Sequence, residues 1–212
     1  MPCTKLAPNT LPGEFPMVSF SQFQQLHPEA RRLTLDLFEG SDSDDPFYGF
    51  SLLWMSFNGW MSAVAGPAPD AHMINNLAAN PRLMTAFIDL ANESARFRDR
   101  VEEFASWWPI FDSQTARKYL HRSLYEVHDR EDFYQLAFPD ERIRRRPRDW
   151  AHGNAPRWGD LLQAIYQVRC NLFHGTKSPV NWGDSALVGM SHQTLRMFVA
   201  RSGLYDWDDI DA

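Results

Sequence analysis

An arginine and a histidine, Arg169 and His174, lie five positions apart near the end of one amphipathic segment. Arginine is a permanent planar cation that binds a phosphate through two parallel hydrogen bonds. Histidine, whose ordinary pKa is about 6.5, accepts or donates a proton near neutral pH. Together these two side chains carry the groups needed to cleave a phosphodiester without a metal ion.

The segment before this pair is predicted to be a helix. Its apolar residues recur at steps of three and four and form one stripe: Trp158, Leu161, Leu162, Ile165, Val168 and Leu172. Arg169 falls at the edge of the stripe, and Gly175 is a residue type that ends helices. Taken alone, the two residue types favour a structural role. In it, Arg169 pairs with a surface carboxylate and His174 bonds the last helical carbonyls.

Residues 169–175, with the sequence RCNLFHG, resemble the Arg-x4-6-His signature of HEPN domains, most of all the form found in the ApeA-like HEPN group. The aromatic segment 57–60 (FNGW) and the segment 184–188 (DSALV) are similar to that family at the corresponding places. The resemblance spans about residues 45–201. The chain departs from the family at Cys170, where a polar Asn, Asp or His usually follows the arginine.

HEPN domains are small helical bundles that often dimerise, and many are metal-independent ribonucleases of toxin-antitoxin or antiphage systems. The resemblance therefore implies that Arg169, His174 and Asn171 are catalytic. His174 would act as base or acid, Arg169 would stabilise charge on phosphorus, and Asn171 would orient the phosphate or the imidazole. Because one chain supplies one such histidine, a homodimer with composite sites is expected. An antitoxin or another defence protein is the protein partner that the resemblance suggests.

A non-catalytic HEPN-like module that binds RNA or a protein is the alternative function. Cys170 and the net charge of −6 favour it, because nucleic-acid-binding domains tend to be basic. The sequence has no P-loop, GxGxxG, GxSxG or metal-ligand spacing, so neither a metal nor a cofactor is expected.

Charge is unevenly distributed along the chain. Acids gather in residues 36–45 and 206–211, whereas an arginine cluster precedes the motif helix. Its candidate RNA-binding residues are Arg144, Arg145, Arg146 and Arg148. Such a run is ordinarily a solvated loop, but its position just before the motif supports contact with RNA phosphates. Trp150, His152 and Trp158 add aromatic surface on which bases could stack, although tryptophan is more often packed.

In every segment with regular apolar spacing, the steps are the three and four residues typical of a helix. An all-α fold is therefore predicted: a HEPN-like helical bundle with short extra helices and a basic loop. Asp45 followed by Pro46 is a strong helix start, and the helix that follows carries an aromatic core stripe. Asn58 in that helix is either an ordinary amide or a support that reaches Arg169 and His174. Asp184 is predicted to cap a last helix through residue 200.

The predicted organisation is an extended N-terminal arm (1–18), a single helical domain (19–203) and an acidic tail (204–212). The N-terminus lacks the apolar run of a signal peptide, and no stretch approaches the roughly 20 apolar residues of a membrane span. Cys3 and Cys170 are the only cysteines, and no disulfide is expected. A cytoplasmic protein without membrane contact is therefore predicted.

Overall fold

The computed structural model describes residues 18–121, 129–173 and 182–209, and these are mostly helical. In chain order the elements are α1 (Ser21–Gln24), α2 (Pro28–Gly40), α3 (Pro46–Val64), α4 (Asp70–Ala78), α5 (Pro81–Glu93), α6 (Ala95–Ala105), β1 (Ile110–Phe111), α7 (Ser113–Leu120), α8 (Arg130–Ala137), β2 (Arg145–Arg146), α9 (Trp158–Phe173) and α10 (Trp182–Ser202). The prediction of an all-α fold is confirmed. The predicted N-terminal arm, apart from Val18, lies outside the described residues.

Local capping explains where several helices begin. Asp45 accepts hydrogen bonds from the backbone N–H groups of Phe47 and Tyr48, at 2.9 and 3.2 Å, and so caps α3 as predicted. Asn80 and Ser94 cap α5 and α6 in the same way. In α3 and α5 a proline occupies the first turn, where its missing N–H costs nothing.

The aromatic stripe of α3 forms the centre of the core. Seven of its apolar side chains are buried: Phe50, Leu53, Trp54, Phe57, Trp60, Met61 and Val64. Helices α2 and α10 pack on α3, and α9 packs on α4. Core packing is therefore the observed role of the stripe, as predicted.

Two tryptophans named as stacking surface for bases are instead in the core. Trp158 is 1% exposed and stacks on Phe198 of α10 with ring centroids 4.3 Å apart. Trp150 is also buried and meets Trp108 edge to face. Burial of their large apolar area outweighs any use as a surface, and of the three residues only His152 is exposed.

The predicted basic loop contains two short elements that were not predicted. Helix α8 occupies Arg130–Ala137. Strands β1 and β2 pair antiparallel, with Ile110 opposite Arg146 and Phe111 opposite Arg145. A two-residue strand has no alternation to detect, and its partner lies far away in the sequence. The arginine cluster is therefore partly a strand held against the bundle.

The last helix begins before the predicted position and ends two residues after the predicted end, at Ser202. Asp184 lies in the first turn of α10 rather than at its cap, because the helix already includes position 182. Gly203 follows Ser202 with a φ of 63°, in the left-handed region where glycine pays no steric penalty.

Residues 204–209 are part of the fold, contrary to the prediction of a separate acidic tail. Leu204 and Tyr205 are buried, and the Tyr205 hydroxyl lies 2.8 Å from Ser56 Oγ. Asp209 accepts hydrogen bonds from Ser19 Oγ and Phe20 N at 2.6 and 2.8 Å. The Asp209 carboxylate therefore accepts hydrogen bonds from the residues that lead into α1.

None of the described helices combines the length and the apolar character required to cross a lipid bilayer.

A buried histidine joins α10 to the turn between α2 and α3. His192 is 6% exposed, and its Nε2 lies 2.8 Å from the carbonyl oxygen of Ser41. Gly49 of α3 faces the ring, and a Cβ there would come within 2.6 Å of ring carbon Cε1. Burial lowers the pKa of His192; Arg196 lowers it further, while the Ser41 bond and Asp42 oppose the shift.

We expect the free energy of unfolding to fall as the pH drops below about 6.5, where histidine of the unfolded chain takes up a proton. The native pKa of His192 is lower, so between the two pKa values the unfolded state binds more protons, and stability is lost as the pH falls from about 6.5 toward the native pKa. Urea unfolding from pH 5 to 8 measures the slope of the unfolding free energy against pH. His192→Gln should flatten it, whereas His152→Gln, at an exposed position, should not. Equal slopes for His192→Gln and wild type would contradict the buried neutral imidazole.

Candidate functional site

Arg169 lies near the C-terminal end of α9 with 27% of its side chain exposed. Its Nη2 atom is 3.1 Å from Oδ2 of Asp70. The guanidinium carbon lies 5.5 Å from the ring centroid of Trp54 and 5.0 Å from that of Phe173. Two aromatic faces and one carboxylate therefore hold the cation in place, and part of it stays open to solvent.

Asp70 links Arg169 to a second predicted residue. It is the first residue of α4, where a carboxylate is favoured by the positive end of the helix dipole. Asn58 of α3 donates from Nδ2 to the other oxygen, Oδ1, at 3.3 Å. Asn58 therefore shares a carboxylate with Arg169 and reaches it through Asp70. Asp70 could not be identified from the sequence, because an acid at a helix start is common and its long-range partner leaves no sequence signal.

His174 and Gly175 lie outside the described residues. Helix α9 is described as far as Phe173, whose side chain is 52% exposed. The pairing of Arg169 with His174 in one site therefore stays a prediction from the sequence.

Asn171 is buried on a different side of α9. Its Oδ1 accepts from Ser113 N at 3.1 Å, Ser113 Oγ at 3.0 Å and Gln167 Nε2 at 3.1 Å. Its Nδ2 donates to the carbonyl oxygen of Phe111 at 2.8 Å. These contacts join α9 to the connection between β1 and α7 and give Asn171 a structural role. Its catalytic role remains a prediction.

Replacing Asn171 by alanine is expected to destabilise the fold by about 1–3 kcal/mol, the cost of leaving buried polar groups without partners. The backbone N–H of Ser113 and the carbonyl of Phe111 both lose the amide. Urea unfolding measures the change. Asn92→Ala, at an exposed position of α5, is the matched control and should change stability by less than about 0.5 kcal/mol. Equal effects of the two substitutions on stability would contradict the structural role of Asn171.

The arginine cluster and α9 line an open cavity of about 800 Å³. Four polar or thiol side chains of α9 line it at helical spacing: Gln163, Tyr166, Gln167 and Cys170. All four arginines of the cluster also line it: Arg144, Arg145, Arg146 and Arg148. Three acids also contribute: Asp112, Glu141 and Asp149. The tertiary fold thus brings the predicted RNA-binding residues and Cys170 to one cavity.

Two of the four arginines have partners within the fold. Arg144 Nη2 is 3.1 Å from Asp112 Oδ2. Arg145 donates from Nη1 to the carbonyl of Phe138 at 2.6 Å, and its guanidinium lies 4.3 Å from that ring's centroid. Both side chains therefore contribute to holding β2 in place.

The other two arginines are differently placed. The Arg146 guanidinium lies 4.9 Å from the ring centroid of Tyr166, and Arg148 is exposed. No carboxylate of the described ranges forms an ion pair with Arg146 or Arg148, which leaves their charges available to an anion.

Tyr166 separates the cavity from the Arg169 site. Its ring centroid is 6.1 Å from that of Trp54, which Arg169 also contacts. Burial and the neighbouring Cys170 raise the pKa of Tyr166 to about 12. The phenol therefore stays neutral at physiological pH and is a hydrogen-bond donor and acceptor.

In the parts of the chain that the structure describes, no three His, Cys, Asp or Glu side chains are close enough to form a metal site. Comparison of the chain with protein-family models, curated proteins and solved structures found no match.

Proposed function

We propose that the protein is a HEPN-type endoribonuclease that cleaves RNA without a metal ion, in a cytoplasmic toxin-antitoxin or antiphage system. The observation that carries the proposal is the setting of Arg169. Its guanidinium is held by Asp70, Trp54 and Phe173, is partly exposed, and precedes His174 by five positions. The reaction needs a preorganised cation and a titratable imidazole, and Arg169 and His174 are the residues proposed to supply them.

In the proposed reaction His174 takes the proton of the ribose 2′-hydroxyl, and the 2′-oxygen attacks phosphorus. The bond from phosphorus to the 5′-oxygen breaks, and that oxygen takes up a proton. The products are a 2′,3′-cyclic phosphate and a 5′-hydroxyl. Arg169 stabilises the charge that develops on the phosphoryl oxygens. A guanidinium has five N–H donors, so it can bind a phosphate while Asp70 holds it from one side.

A second copy of the chain would supply the second proton-transfer group. One chain has one His174, whereas the reaction uses both a base and an acid. Phe173, which lies against Arg169 and is 52% exposed, is a side chain at this end of α9 that such pairing would cover.

One observation favours the alternative of a non-catalytic module. The charge of Arg169 already has a carboxylate partner in Asp70, as an ordinary helix-end arginine would. In that case the protein would bind RNA or a protein through the same surface without cutting it.

Incubation of total RNA with the purified protein in EDTA tests the proposal. Cleavage is expected at the same rate with EDTA and with Mg²⁺, because Arg169 and His174 supply the charge and the proton transfer themselves. Mass spectrometry of the fragments should find 2′,3′-cyclic phosphate ends. Activity that disappears with EDTA and returns with Mg²⁺ would refute the mechanism. RNA binding without any cleavage would establish the alternative.

A further inference from the structure

The cavity and the Arg169 site adjoin each other along α9. Gln163, Tyr166, Gln167 and Cys170 line the cavity at steps of three and four, so they form one face of the helix. Arg169 is three residues after Tyr166 and therefore lies beside this face. Helix α4 shows the same adjacency, since Asp70 holds Arg169 and Asn75 lines the cavity.

The cavity wall offers cations for a phosphate. Three acids line the cavity. Asp112 is paired with Arg144, whereas Glu141 and Asp149 form no ion pair with a described residue. Arg146 and Arg148 provide two guanidinium groups, each able to bind a phosphate through parallel hydrogen bonds. The cation–π contact with Tyr166 holds Arg146 in place without an ion pair to a carboxylate of the described ranges.

The lining of the same cavity also offers groups that recognise a base. Gln163 and Asn75 contribute amides, and Tyr166 contributes a neutral phenol, so both donors and acceptors are available. Single-stranded RNA is recognised through hydrogen bonds to base edges and stacking on aromatic or guanidinium planes. The volume of about 800 Å³ is within the range of small-molecule sites and suits one nucleotide.

We propose that this cavity binds one nucleotide of a single-stranded RNA next to the phosphate held by Arg169. Arg146 and Arg148 bind its phosphate, and the amides of Gln163 and Asn75 bind its base. The site thereby selects unpaired RNA, because a base must leave its stack to enter. The link to a scissile phosphate depends on the proposed function, whereas binding of the nucleotide does not.

Alkylation of Cys170 reports occupancy directly, because this thiol is part of the lining. In a Cys3→Ser background it is the only cysteine. A short 2′-O-methyl RNA, which cannot be cleaved through its 2′-oxygen, is the probe. At ten times its Kd it should slow alkylation by iodoacetamide about tenfold, by mass action. A nucleoside monophosphate should protect at higher concentration, and inorganic phosphate or a duplex should not.

Arg146→Gln/Arg148→Gln should abolish this protection and lower the salt dependence of oligonucleotide binding, by a slope of about 0.7 for each lost contact. Arg96→Gln/Arg98→Gln on α6 removes the same charge at exposed positions. This variant should leave the protection of Cys170 and the salt dependence of binding unchanged. Arg148→Gln alone, also at an exposed position, should weaken protection in a chain whose cooperative unfolding matches wild type.

The outcomes distinguish nucleotide binding in the cavity from the proposed ribonuclease activity. Cleavage of RNA by a protein whose Cys170 is never protected, or equal protection of wild type and the Arg146/Arg148 double variant, would overturn the cavity site and leave the ribonuclease intact. Protection by inorganic phosphate alone at equal strength would also overturn it, because it would show an anion site without a base. Protection without cleavage supports the cavity and counts against the enzyme.

Discussion

Replacing His174 by alanine is expected to lower the rate of RNA cleavage by about 10²–10⁴-fold, the usual contribution of a general acid or base. The substitution removes the proton acceptor but keeps the cation Arg169, so the affinity for RNA should change little. Single-turnover cleavage of a labelled single-stranded RNA, measured with saturating protein, separates the two quantities. The pH dependence of the rate should also flatten near the imidazole pKa.

His152→Ala is the matched control for this experiment. His152 is exposed and outside the cavity lining, so its loss should leave the rate unchanged. A His174→Ala variant that cleaves at the wild-type rate would refute the assignment of the base. Arg169→Lys should also be slower than wild type, because an ammonium keeps the charge but loses the planar, two-bond contact with phosphate.

Mixing wild type with an excess of His174→Ala subunits is expected to suppress activity beyond simple dilution. If each site takes its base and acid from different chains, a heterodimer has no complete pair of histidines. With about nine variant subunits for each wild-type subunit and random pairing, roughly 1% of dimers are fully wild type. Cleavage should then fall to about one hundredth of the wild-type rate rather than one tenth.

The measurement is the initial rate at constant total protein after the subunits have exchanged. An Asn92→Ala chain, altered only at an exposed position, serves as the neutral diluent and should leave activity near its starting value. A loss proportional to dilution, or a monomer that cleaves RNA through His174, would refute the shared site.

Most helix positions could be predicted because their signals are local. Asp45 and Pro46 define a helix start through bonds that reach only two or three residues along the chain. The aromatic stripe of α3 and the glycine after α10 are equally short in range. Helix α8 and the pairing of β1 with β2 were missed, because a short amphipathic stretch and a two-residue strand carry too little periodicity.

The sequence by itself determined the helical class, the start of α3 at Asp45 and Pro46, and the two chemically capable side chains, Arg169 and His174. Only the tertiary structure decided which groups meet. Asp70 and Asn58 belong to other helices than Arg169, and the position of Asn171 in a motif did not reveal that its amide is buried against Phe111.

For the arginine cluster, too, the sequence determined one part and the tertiary structure another. Its charge is visible in the sequence, but four neighbouring arginines look alike there. Pairing of β2 with β1 aims successive side chains in different directions, so that Arg145 lies on Phe138 and Arg146 on Tyr166. Long-range pairing depends on how whole helices pack, which is decided by burial summed over the core. No local pattern at the arginines themselves encodes it.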